Sequence, residues 1–226
     1  MSLRLPGWWV FVWVGLMSLP GGVKLRAESA AARVTDPYSG AEIVRRFSFE
    51  SEDDEDYDQQ PDDWIRRRGK GFPQYVEARI DRQRGFHGQQ SLRFDLNGAQ
   101  AAYYSPLLRV QEDYAFVFRG RIKTAGLRED AAQLSISLLD HRRCRVRRFL
   151  STAVSGTHAE WVEVEIGPFT LPQDVHFVVI GCHILSGEKS DIGGQVWFDE
   201  LSLSQIPRVE FTTSAGRHFF LQGETL

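Results

Sequence analysis

The chain has 226 residues, 42% of them hydrophobic, which suits one globular domain of moderate size with appendages. Its 27 Lys+Arg against 30 Asp+Glu leave a net charge of -3, so no overall field draws it to nucleic acid or to an acidic membrane. Only Cys144 and Cys182 are present, far apart, which excludes a disulfide framework and a Cys/His metal spacing; they are either one bridge or two small core residues.

In chain order, Arg4 gives a positive start, Trp8 to Leu19 is almost purely apolar, Pro20-Gly21-Gly22 breaks the run, and small residues follow from Ala27 to Ala32. That is the order of a secretory signal. The apolar run is about a dozen residues, short of the ~20 that span a bilayer as a helix. An uncleaved anchor is the alternative, because Leu25 and Arg26 spoil the cleavage site. Residues 1–29 are therefore a signal peptide or membrane-anchor helix, and a membrane is involved only if that segment is retained. The rest is expected to be exported: secreted, periplasmic or in the cell envelope.

Residues 30–45 are small and polar and read as a linker. From Phe47 short alternating runs recur between turn residues, with no long stretch of helical period. Phe47–Glu50 is a short strand, and Ser51–Gly71 a long charged loop carrying Trp64, its acidic run Glu52–Asp56 solvated. Strands follow at 74–81, 90–96 and 101–105, the second placing Leu92, Phe94 and Leu96 on one face. Residues 114–123 put Tyr114, Phe116, Phe118, Gly120 and Ile122 on one side, and 134–139 put Leu134, Ile136 and Leu138 inward. Residues 141–150 place Cys144, Val146 and Arg148 on one face and Arg143, Arg145 and Arg147 on the other. Residues 161–166 alternate with Glu163 and Glu165 outward, 175–184 run through the core, and 195–203 close the domain; Trp161 and Trp197 are expected in the core. Roughly nine or ten strands of this kind predict an all-β, antiparallel sandwich, which buries one face of each sheet and limits exposed edges.

The ordered signals are a strand ending Phe49-Glu50, the loop with Trp64, Gly85-Phe86-His87-Gly88-Gln89-Gln90-Ser91-Leu92, then Tyr114 to Thr124, Trp161-Val162-Glu163-Val164, and Val196-Trp197-Phe198-Asp199-Glu200-Leu201. Together they resemble the CenC-type carbohydrate-binding modules of the galactose-binding-like jelly-roll superfamily, over residues 46–206. The resemblance implies a jelly roll that binds sugar, partners a polysaccharide or glycan, and does no bond chemistry. It also implies a structural calcium ion between the first and last strands, at Glu50 and Asp199. Two departures stand out: the acidic insertion after Glu50, and the Arg-rich run His141–Arg148, unusual for a sugar platform. Residues 207–226 read as a strand, a turn and a second strand, as if a further β domain of a longer multidomain protein began there.

Aromatic faces stack on pyranose rings, with polar groups on the hydroxyls. Trp64, Tyr103, Tyr104 and Arg109 are the candidate sugar contacts; Tyr103 and Tyr104 are adjacent, so one points inward. The basic run is either a stripe toward an acidic polymer or partner, or a solvated face paired with Glu163, Glu165 or the acidic loop. No catalytic fingerprint is present, and Asp199 and Glu200, adjacent on a strand, cannot face each other as a glycosidase pair. The expected function is a non-catalytic carbohydrate-binding module. The alternative is a structural or protein-interaction domain of the cell envelope without sugar affinity.

Overall fold

In the computed structural model the described residues are 40–73 and 75–207, with the backbone alone for strands 209–212 and 218–221. The signal or anchor segment and most of the expected linker lie outside them. The described chain is all β apart from one 3-10 turn, Ser51–Asp53. Fifteen strands form: β1 Glu42–Phe47, β2 Ile65–Arg66, β3 Glu77–Asp81, β4 Ser91–Asp95, β5 Ala101–Tyr104, β6 Leu108–Arg109, β7 Tyr114–Ala125, β8 Ala131–Asp140, β9 Arg145–Leu150, β10 Val154–Ser155, β11 His158–Thr170, β12 Val175–Leu185, β13 Gln195–Pro207, β14 Val209–Thr212 and β15 His218–Leu221.

The first sheet runs β11-β7-β13-β4-β3, with β1 beside the second half of β13; the second runs β10-β8-β12-β5-β2, with β9 on β8 and β6 on β12. Every pairing is antiparallel. The chain crosses between sheets after β1, β2, β4, β6, β7, β10, β11 and β12, which makes a jelly-roll sandwich. β14 and β15 form a separate two-stranded ribbon.

The inward sets are those the alternation predicts. Leu92, Phe94, Phe116, Phe118 and Ile122 of the first sheet meet Leu134, Ile136, Leu138, Val178, Ile180, Cys182 and Ile184 of the second. Gly120 marks the closest approach. A Cβ there would lie 2.5 Å from Leu134 Cδ1 and 2.6 Å from Leu201 Cδ2, one from each sheet. Both cysteines are free thiols, so there is no bridge; Cys182 is a core residue as expected, while Cys144 is exposed and is not.

Four expectations are corrected. The first strand is Glu42–Phe47, not Phe47–Glu50. A register shift between Ile43 and Arg45 removes any period of two, and most of the strand is exposed. Trp161 is only partly buried and stands outside the core, edge-on to Phe86 at 6.2 Å. A register shift between His158 and Val162 breaks the alternation just there. Trp197 is buried, but on the outer side of β13. Its indole N–H donates to Asp81 at 2.8 Å and its ring lies under Arg84 and Arg93. The acidic loop is not wholly solvated: Asp53 and Asp54 are buried. Asp53 accepts the backbone N–H groups of Ser48 and Phe49, while burial pushes its carboxyl above the usual range.

Candidate functional site

Five residues in register line up across the outer face of the second sheet. Ile65 of β2 lies opposite Tyr104 of β5, Tyr104 opposite Gly181 of β12, Gly181 opposite Ser135 of β8, and Ser135 opposite Leu150 of β9. With strands ~4.8 Å apart the row spans about 19 Å. Its ends are apolar and open, Ile65 at 67% and Leu150 at 53% exposure.

Gly181 sets the middle of the row. A Cβ there would come within 2.5 Å of His183 Nε2, 2.6 Å of Ser135 Oγ and 3.0 Å of Tyr104 Cε1. Its missing side chain is what lets those three groups converge. The Tyr104 and His183 rings meet edge-on at 5.5 Å. Arg148 reaches back from β9 over this point, donating from Nη2 to His183 Nε2 at 2.7 Å and to Ser135 Oγ at 3.3 Å, with the Tyr104 hydroxyl in hydrogen-bonding range. Because Arg148 can only donate, Nε2 accepts and the neutral imidazole carries its proton on Nδ1. Burial, then the charges of Arg148 and Arg67, hold the His183 pKa down to about 3.

Ser135 and His183 lie 2.8 Å apart, the spacing of a nucleophile and its base. The third group, however, is a cation rather than a carboxylate, and a base with a pKa near 3 takes no proton from a serine at neutral pH. The pair forms a polar floor on this face.

Of the sequence candidates, Tyr104 is on this face. Arg109 is exposed on the same face opposite Phe177, four residues along β12 from Gly181, or about 13 Å. Tyr103 and Trp64 lie elsewhere. Tyr103 is 7% exposed and stacks edge-on against Phe94 at 5.4 Å, with only its hydroxyl reaching Gln60 in a surface cleft. Trp64 packs on Phe47 and Phe49 at 5.2 and 5.5 Å and closes the edge of the core. Gly181, Ser135, His183 and Arg148 were missed as a group. The one local signal was Gly181 itself, an isolated glycine inside an apolar strand, which marks a close approach.

A second constellation lies on the other sheet. Glu50 Oε1 accepts the backbone N–H groups of Gln89 and Gln90, both at 2.8 Å, and a Cβ on Gly88 would collide with the same carboxylate. Asp199 Oδ2 accepts Phe86 N–H at 2.6 Å, and Oδ1 accepts Glu200 N–H at 2.7 Å. The two carboxylates therefore grip one loop, Gly85–Gln90. Each sits beside a non-glycine residue in the left-handed region, Phe49 at φ 56° and Glu200 at φ 52°, a strain that accumulates at functional positions. Asp199 is fully buried and, among the described residues, meets no cationic side chain within ion-pair distance; burial raises its pKa to about 7.

No family profile matches the sequence, and no curated protein matches it either. Solved structures share the fold. The enzymatically active domain of tailspike protein 4 from bacteriophage CBA120 overlays with a TM-score of 0.51 and 13% identity, over 66% of this chain and 20% of that one. This chain thus spans a fifth of that protein's length. A carbohydrate-binding module structure of the β-sandwich superfamily, described as promiscuous in specificity, overlays with a TM-score of 0.50 and 13% identity, over 73% of this chain and 62% of that one. At such identities the likeness is one of fold. It reaches carbohydrate-binding modules in general and does not single out the CenC type.

The strand arginines of the two sheets differ in their partners. On the first sheet Arg46 pairs with Glu200, Arg79 and Arg93 with Asp95, Arg119 with Glu165 and Arg121 with Glu163, while Arg45 pairs with Asp53. Glu163 and Glu165 are therefore taken by first-sheet arginines and do not neutralise the basic run, as one sequence reading had them do. Among the described residues Arg145, Arg147 and Arg148 of β9 meet no carboxylate, and the register shift between Leu138 and Leu139 sets Arg145 opposite Leu139, near enough to Arg148 to depress its pKa.

Proposed function

We propose that the sandwich is a non-catalytic carbohydrate-binding module on an exported protein, holding a glycan across the outer face of its second sheet. The observation that carries this is the in-register row Ile65–Tyr104–Gly181–Ser135–Leu150. It is an extended strip with one half-exposed aromatic ring, a polar floor and open apolar ends, matched to an elongated chain of alternating apolar and hydroxyl faces. The solved carbohydrate-binding modules of the same fold support the reading. Tyr104 would stack on a sugar ring, Ser135 and Arg148 would meet hydroxyls, and Arg109 would extend the strip.

Glu50 and Asp199 would hold a structural calcium ion. Two hard carboxylates suit that ion and supply part of its six to eight oxygens, with backbone carbonyls required for the rest. The buried Asp199 carboxylate, which forms no ion pair among the described residues, fits such a guest.

Glycan-array binding of the full chain, followed by calorimetry on the best ligand, tests the sugar reading. Tyr104→Ala should weaken binding about tenfold or more, the worth of one stacked ring, with a melting temperature close to that of the parent. The competing reading, a protein-interaction sandwich, draws on the exposure of Ile65 and Leu150. It takes over if no glycan binds, or if Tyr104→Ala leaves binding unchanged.

A further inference from the structure

The Arg148 guanidinium is half-buried on the second-sheet face, and among the described residues it reaches Ser135, His183 and Tyr104 but no carboxylate. Its Nε is buried with no hydrogen-bond partner. Arg67 and Arg145 are exposed nearby, each close enough to weaken the charged form of Arg148, and neither meets a carboxylate among the described residues. Three cations thus share one patch without a counter-charge, on a molecule that pairs each strand arginine of its other sheet. A partly desolvated cation left uncompensated lowers stability unless something else supplies the anion. The planar fork of Arg148, fixed by two hydrogen bonds, is pre-oriented to receive anionic oxygens.

We infer that this face selects an anionic glycan, a sugar chain bearing carboxylate, sulfate or phosphate groups, with one acidic group seated at Arg148 and Arg67 and Arg145 adding to the attraction. The inference rests on the carbohydrate-binding role proposed for the same face and adds the charge of the ligand. A sugar chain is favoured over an acidic protein because Tyr104, held beside Arg148, offers a ring face next to the charge.

Calorimetry on the full chain would compare polygalacturonate and dextran sulfate with neutral galactan and dextran, and inorganic polyphosphate as a sugar-free polyanion. The expected result is that one acidic polysaccharide binds at least about tenfold more tightly than its neutral counterpart, and that the preference shrinks with added salt. The better of the two identifies the acidic group. Arg148→Met should cut acidic binding about tenfold or more while the melting temperature holds or rises. Should that variant misfold, Arg67→Gln, at an exposed position, should still cut acidic binding severalfold. Equal affinity for neutral and acidic chains overturns the inference. So does polyphosphate binding as tightly as the glycans and unaffected by Tyr104→Ala. Neutral chains that bind and are lost with Tyr104→Ala leave the carbohydrate role standing while the charge selection falls. Failure of every polysaccharide removes both.

Discussion

His183 shows how much one buried residue carries on this face. Its ring is neutral because burial and two nearby arginines oppose the charge, and that neutrality lets Nε2 accept from Arg148. The pKa in the folded state, about 3, lies below the ordinary 6.5. The unfolded chain therefore takes up a proton as the pH drops through 6.5, and the folded chain does not until about 3. The stability this residue contributes is full above 6.5 and is lost progressively as the pH falls toward 3. Asp199 works in the opposite sense: its pKa is raised from the ordinary 3.8 to about 7, so its contribution is full below 3.8 and is lost progressively as the pH rises toward 7. Urea midpoints at pH 7, 5 and 4 should fall more steeply for the parent than for His183→Gln, and comparing the two cancels Asp199. Parallel curves would show that His183 is not held neutral.

At the scale of elements, β13 and β11 treat their tryptophans differently, although both sit in clean sequence alternation. Trp197, fully buried, is sealed under Arg84 and Arg93 and hydrogen-bonded to Asp81, so Trp197→Ala empties a packed volume and strands three polar partners. A loss of about 3–5 kcal/mol is expected. Trp161 stands partly exposed beside Phe86, and Trp161→Ala should cost about 1 kcal/mol or less. Chemical denaturation of the two variants checks the ranking, and a larger loss at Trp161 would reverse the assignment of which ring supports the sheet. The alternation was legible where partners kept step: Leu134, Ile136 and Leu138 face inward as their spacing predicts, because β8 and β12 pair without interruption there. It misled at Trp161, where the register shifts; of the adjacent Tyr103 and Tyr104 it required one to turn inward without saying which, and it said nothing of Trp64, which packs partly buried against the core. Hydrophobicity says that a ring can be buried; only register and neighbours decide whether it is.

For the molecule as a whole, the two faces of the sandwich divide the work. The first sheet neutralises its strand arginines and clamps the Gly85–Gln90 loop with Glu50 and Asp199; the second leaves its outer strip open, and among the described residues Arg145, Arg147 and Arg148 of β9 meet no carboxylate. A calcium ion at Glu50 and Asp199 would join the chain leaving β1 to β13, so ion binding should stabilise the whole fold rather than one loop. At an ion concentration of about one hundred times Kd the gain is about 2.7 kcal/mol, a rise in melting temperature of roughly 5–10 °C for a domain of this size. Calorimetric scans with calcium and with EDTA check this, and Asp199→Asn should abolish the difference. Equal melting temperatures for the parent in both conditions would remove the ion.

The sequence by itself determined that the chain would fold as β and which face of most strands would turn inward. Those properties follow from local period and chain order. The shared loop of the two carboxylates, the floor of Ser135 and His183 beneath Tyr104, and the absence, among the described residues, of a carboxylate on Arg148 came only with the tertiary structure. Residues 104, 135, 148, 181 and 183 meet through register across four strands, and no local pattern encodes which strand lies beside which.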